Sequence, residues 1–365
     1  MNWQNILVPP GAGVHTVSSG SNYKNALWKK YYNSIDAIHV EKEWKNQLTT
    51  MSLSTPKIFA CPSDTGAGII KGSNWGPIFL RQAFLDTGIS SEELKSRDLG
   101  DIKVNPHLLH DDLLAKNAIQ HIQRSMYPHI KHEDQIHLPV SALSQIDFLT
   151  QEIWQKNQTQ KFLFLAGDHS CSYPIVKNWC KTRTHQNFAV LHFDAHTDLL
   201  QERLGIPYCF GTWANQIIKF LPKPQHLVQV GIRASGKDKS HWENTFHIKQ
   251  HWAKEIKDAT IETYVNNVVD YFKSCKVEEI YISFDVDVLD PQYLSCTGTA
   301  EKDGLFPHHI ITLCNAIKEN FKVSCIDVVE FAPFIRQANI PHAQLEPETS
   351  MLTMQTLLPI FWECL

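Results

Sequence analysis

The chain lacks several features that would each have fixed a class. Its nine cysteines are odd in number and include no C-x-x-C pair, which excludes a fully bridged disulfide framework. Cys275, Cys314 and Cys325 sit in apolar runs where a thiol behaves as a small buried hydrophobe, so a reduced, cytoplasmic setting is expected. No apolar run reaches the roughly 18 residues of a membrane span. The start, MNWQNILVPPGAG, has no basic region followed by an apolar core, so no secretory signal is expected. Charge of either sign is not in excess: 34 basic against 38 acidic residues give a net charge of -4, and neither nucleic acid nor a membrane surface is an expected partner. Gly66, Gly68 and Gly72 are not followed by the lysine and hydroxyl residue of a phosphate loop. Internal repeats and low-complexity segments are absent.

What is present is a large apolar fraction, 43 per cent of 365 residues, arranged as short apolar runs alternating with helical patterns. Alternation of this kind predicts a parallel sheet covered on both faces. The fold class expected is α/β, a three-layer, doubly wound and mainly parallel sheet. Residues 1–20 read as loop, residues 22–48 as a helical stretch, and a strand is expected near 136–139. Residues 1–55 are expected to be an N-terminal extension and residues 56–365 one domain.

The polar residues that interrupt the apolar runs are specific. In LHFDAHTDLL (191–200), Asp194, His196 and Asp198 stand at every second position, which in extended backbone places them on one face. KFLFLAGDHS (161–170) ends in Asp168 and His169, and EEIYISFDVDVLDP (278–291) carries Asp285 and Asp287 at the same two-residue spacing. Each cluster follows a buried-type strand, which in an open α/β sheet is the edge where ligands bind. Carboxylates and imidazoles converging there need a cation, and so oxygen-rich a donor set suits two divalent ions of the manganese type better than zinc.

The motifs GDHS, DAHTD and SFDVDVLDP, in this order and spacing, resemble the arginase, agmatinase and formiminoglutamase family of ureohydrolases. Weaker echoes are SDTGAGIIKGSNWGPIFLRQAF (63–84), DLGDIKV (98–104), CTGTAEKDGL (296–305) and IDVVEFAP (326–333). The resemblance implies two manganese ions per chain. His169, Asp194, Asp198 and Asp285 would hold one, and Asp194, His196, Asp285 and Asp287 the other. It implies hydrolysis of a carbon-nitrogen bond in a linear guanidino or formimino small molecule by a hydroxide bridging the ions, oriented by Asp198, in a homo-oligomer.

The chain also departs from the family's pattern. Phe210 stands where the family has a proton-shuttling histidine. Thr297, Gly298 and Thr299 are retained in the following loop, but Ala300 replaces a proline, and counting on from Gly304 and Leu305 puts His309 where a glutamate is expected to face the guanidinium. Leu199, Leu200 and Gln201 replace a polar turn. His309 is therefore expected as a replacement catalytic group beside Asp198, with Thr299, Gly298 and Cys209 as substrate contacts; His308 and His241 are further candidates. Turnover of free arginine is expected to be weak, and the alternative reading is a metal-bound, non-catalytic protein with a binding or assembly role.

Overall fold

The computed structural model describes residues 3–14, 20–183, 187–335 and 348–365. Nine strands are described: β1 (Leu7–Val8), β2 (Lys57–Cys61), β3 (Asp98–Ile102), β4 (Phe162–Ala166), β5 (Phe188–Phe193), β6 (Leu227–Ile232), β7 (Lys249–Trp252), β8 (Glu279–Asp285) and β9 (Lys322–Val329). They form one sheet in the order β1-β3-β2-β4-β9-β8-β5-β6-β7. Every pairing is parallel except that of β1 with β3. β2, β4, β5, β6 and β8 are buried along their whole length, as a parallel sheet sandwiched between helices requires. The expected three-layer α/β class is the observed one.

Several local expectations are corrected. The helical stretch at 22–48 is two helices, Ser21–Tyr32 and Ala37–Thr50. Asn33, in the left-handed region at φ 52°, ends the first, and the Asp36 side chain accepts the His39 N–H to begin the second. Within the stretch read as loop, Leu7–Val8 adds an edge strand. Residues 136–139 form no strand: the carbonyls of Ile136 and Leu138 accept from the Gln123 side-chain amide at 3.1 and 2.8 Å, in place of a neighbouring strand.

The described residues before β2 share the main core. Trp28, Tyr31, Tyr32, Val40 and Trp44 are buried in it. The Trp28 indole N–H donates to the Pro10 carbonyl at 2.8 Å, and that of Trp44 to the Leu99 carbonyl at 3.1 Å. Arg81 is fully buried between Asp98 and Asp101, and Asp101 also accepts the backbone N–H groups of Gly11 and Gly13.

Candidate metal centre

The strand order places the carboxyl ends of β4, β9, β8 and β5 side by side in the middle of the sheet. β4 runs out at Ala166 into Gly167, where an added Cβ would lie 1.8 Å from the Ser63 carbonyl oxygen; only glycine fits this crossing. Asp168 then holds the loop, accepting from the N–H groups of Ser170 at 2.9 Å and Gly66 at 3.0 Å. His169 follows, fully buried and stacked on Trp213 with ring centroids 4.6 Å apart.

Three carboxylates from two further strand ends meet its ring. His169 Nδ1 lies 3.2 Å from Asp194 Oδ2, 3.3 Å from Asp198 Oδ2 and 3.0 Å from Asp285 Oδ2. The opposite ring nitrogen, Nε2, is 2.9 Å from the Ser283 hydroxyl, which donates to Asp327 at 2.7 Å. A hydroxyl whose proton goes to a carboxylate accepts from its other neighbour, so His169 carries a proton on Nε2, and Nδ1 is left facing the aspartates, to bear a second proton in the metal-free protein or to offer its lone pair to a cation. A second group stands beside the first. His196 Nδ1 is 2.9 Å from Asp287 Oδ2 and 3.4 Å from Asp194 Oδ1, so Asp194 serves both. Backbone and hydroxyl donors hold the carboxylates: Ala195 N–H and Thr299 Oγ1 donate to Asp287 at 3.0 Å each, and the Trp213 indole to Asp198 at 2.9 Å.

The electrostatics show why a cation belongs here. Burial and the neighbouring carboxylates push Asp198 and Asp285 well above the ordinary carboxylate range. Asp194 is held well below it, against burial, by His192 and by hydrogen bonds from His169, His192 and His196. The cluster therefore resists holding all its negative charge unaided. Arg233 lies near but is fully engaged elsewhere, its guanidinium donating to the carbonyls of Asp287 at 2.7 Å and Glu301 and Lys302 at 2.8 Å. Two overlapping sets of buried carboxylates and imidazoles fit divalent cations.

The other expected residues fall differently. Gly298 packs under Ile70, whose carbonyl oxygen an added Cβ would meet at 2.9 Å. Cys209 begins the turn before Trp213, its N–H donating to Thr212 Oγ1 at 3.0 Å. Phe210 lies between the Gly68 loop, 3.3 Å from where a Gly68 Cβ would stand, and the Arg203 guanidinium, 5.0 Å from its ring centroid. The placement of His309 is corrected: a helix starts at Pro307 and turns that ring onto Tyr264, Phe306 and His308, with Nδ1 accepting the Phe306 N–H at 3.1 Å. None of these contacts is with a ligand-type residue of the cluster.

Two carboxylates that the motif count passed over do approach it. Glu330, just past β9, is 6 per cent exposed, and its Oε1 accepts the His169 N–H at 2.9 Å. Burial, then Asp285 and Asp168, push its carboxyl well up. Glu301 Oε1 reaches to 3.7 Å from His196 Nε2 at the solvent side. His192, also passed over, is fully buried with Nε2 2.8 Å from Asp194 Oδ2. A lone polar residue in each of the apolar runs FAVLHF and VVEFA was the available signal.

Comparison with known proteins agrees with this geometry. The Arginase family model matches residues 55–359. An agmatinase of Bacillus cereus is 29 per cent identical over 291 residues, covering 76 per cent of this chain and 83 per cent of the relative. An arginase of Staphylococcus aureus is 25 per cent identical over 295 residues, covering 77 and 91 per cent. Among solved structures, formimidoylglutamase from Bacillus subtilis superposes with a TM-score of 0.63 at 20 per cent identity, covering 86 per cent of this chain and 87 per cent of that one. The agmatine ureohydrolase of Thermoplasma volcanium superposes with a TM-score of 0.61 at 16 per cent identity, covering 97 and 96 per cent. With the family model spanning most of its length, this chain belongs to the arginase family.

Proposed function

We propose that the protein is a hydrolase with two manganese ions per chain that cleaves a carbon-nitrogen bond of a linear guanidino or formimino compound. The observation that carries this reading is the convergence of His169, Asp194, His196, Asp198, Asp285 and Asp287 from three strand ends, with Asp194 common to both groups. Two divalent ions held there would supply a nucleophile from water near neutral pH.

The chain's own residues do the rest. Asp198, with one oxygen held by the Trp213 indole, orients the attacking group and holds its remaining proton. Glu330, with one oxygen fixed by the His169 N–H, keeps the other for the N–H groups of a planar amidinium. The sequence sought that carboxylate at position 309; Glu330 is our candidate for it, and the expectation of weak turnover of free arginine is put to the test by the substrate panel below. Phe210 cannot donate a proton to the leaving amine; Glu301, at the solvent side of His196, is the candidate carrier.

The alternative of a metal-bound, non-catalytic protein draws its support from Phe210 in place of the shuttle histidine and His309 in place of the glutamate. The deciding experiment measures release of urea, ammonia and formamide from a panel of guanidino and formimino compounds, arginine and agmatine included, after manganese loading. Turnover of one member is expected, with urea released from a guanidino compound or formamide from a formimino compound as the substituted amine leaves. Two bound ions without turnover across the panel would favour the binding role, and a single bound ion would sink the binuclear reading.

A further inference from the structure

Beneath the ligands runs a polar rung that crosses four strands of an otherwise apolar sheet. Register pairs Gln250 on β7 with Gln229 on β6, Gln229 with His192 on β5, and His192 with Ser283 on β8. None of these four side chains is exposed. Trp252 Nε1–H donates to Gln250 Oε1 at 2.8 Å, and Gln250 Nε2 donates to Gln229 Oε1 at 2.8 Å. Gln229 Nε2 donates to the Thr197 carbonyl at 2.7 Å and stands 2.9 Å from His192 Nδ1. His192 Nε2 stands 2.8 Å from Asp194 Oδ2.

The two ends of this chain fix its direction. An indole N–H can only donate and a carbonyl oxygen can only accept, so the Trp252 end sets the Gln250 amide and the Thr197 end sets that of Gln229. Either amide flipped would set acceptor against acceptor or donor against donor. Gln229 therefore presents an N–H to His192 Nδ1, which must accept. The imidazole proton then sits on Nε2 and points at Asp194.

We propose that His192 is a positioning residue and not a metal ligand: the Trp252–Gln250–Gln229 relay fixes its Nε2–H tautomer, and that N–H holds Asp194, the carboxylate shared by both ion positions. A nitrogen that bears a proton has no lone pair for an ion, although His192 lies close enough to Asp194, Asp198 and His169 to be counted among possible ligands. Asp194 Oδ2 can accept this hydrogen bond on one lone pair and face an ion with the other. The role rests on the ion-binding reading above, whereas the tautomer does not.

The test uses the full chain labelled with 15N at histidine. In the metal-free protein the His192 signals, identified by their loss in His192→Gln, should show a protonated Nε2 and an unprotonated Nδ1, and saturation with zinc as a diamagnetic probe should leave Nε2 protonated. A proton on Nδ1, or loss of the Nε2 proton on adding zinc, would overturn the assignment. Manganese titration calorimetry supplies the second readout. His192→Leu should weaken binding about 10–100-fold, as removal of such a supporting partner does, and His192→Gln, whose amide Nε2 can still donate to Asp194, should recover most of it. Unaltered affinity in His192→Leu would refute the positioning role. If the unmutated protein binds no manganese while the tautomer is as stated, it is the proposed function that fails.

Discussion

Two clusters of aspartates are buried in this protein, and only one brings its own cation. At the N-terminal side of the sheet, Asp98 and Asp101 flank Arg81: Nε and Nη2 meet the two oxygens of Asp98 at 2.7 and 2.9 Å, and Nη1 meets Asp101 at 2.6 Å. Their remaining lone pairs take Tyr31, Gly11 and Gly13. At the sheet's carboxyl edge, Asp194, Asp198, Asp285 and Asp287 have imidazoles and neutral donors for company, but among the described residues no lysine or arginine pairs with their side chains. The first is a closed ion cluster that locks the N-terminal segment to the domain; the second is left open for charge from solution. A buried carboxylate thus marks structure where a guanidinium satisfies it and a binding site where nothing covalent does.

Substitution should separate the two clusters, and the largest effect is expected at the open one. Asp285→Asn should abolish the activity found with the substrate panel and halve or remove the bound manganese. In chelator it should melt no lower than the unmutated protein, because a carboxylate that repels its neighbours has gone. A metal-free melting point many degrees lower would show that Asp285 is structural. At the closed cluster, Arg81→Met should lower stability by about 3–5 kcal/mol by stranding two buried carboxylates. Denaturant unfolding checks this, and manganese stoichiometry should be unchanged in the folded fraction.

A smaller effect concerns pH. Against the pull of burial, Asp194 and Asp198 push the His169 imidazole up to about 9 in the metal-free protein. A pKa raised on folding stabilises fully below the unfolded value of about 6.5 and fades as pH rises through the folded one. The metal-free melting point should therefore fall between pH 6.5 and 9, relative to His169→Asn. Over the same window manganese affinity should rise, since the ion replaces a proton. A flat difference between the two proteins would show that the imidazole is neutral in the cluster throughout.

The sequence disclosed the open cluster well and the closed one hardly at all. Asp194, His196 and Asp198 are neighbours in one short motif and so were easily singled out, but the extended backbone assumed for them is not what brings them together: β5 ends at Phe193 and Asp198 has φ 52°. Glu330 was passed over because its nearness to His169 follows from β9 lying between β4 and β8, a matter of strand order that no local pattern contains. The His192 relay needed the register of three strands, and His309 was misplaced because counting along a loop cannot foresee the helix that starts at Pro307. Arg81 sits in a helix 17 residues before Asp98 and 20 before Asp101, and only the packing of that helix against β3 pairs it with them.

Asp198 and Glu330 share a backbone peculiarity whose meaning reaches beyond local geometry: both have positive φ, 52° and 63°, with large side chains attached. The left-handed region costs an ordinary residue roughly 1 kcal/mol or more that glycine does not incur. Glycine at either position would relieve that strain, and at 330 it would also remove a buried carboxyl. Glu330→Gly is accordingly expected to remove turnover while lowering the melting temperature less than Glu330→Ala does, because relief of the strain offsets part of the lost His169 N–H hydrogen bond. Folding alone would favour glycine at both positions, as at the other positive-φ residues Asn33, Leu204, His247, Lys276 and Asp303, but only Asp198 and Glu330 stand at the cluster. Each carboxylate therefore stands where the backbone penalises any side chain, so what it contributes has to come from the groups it touches.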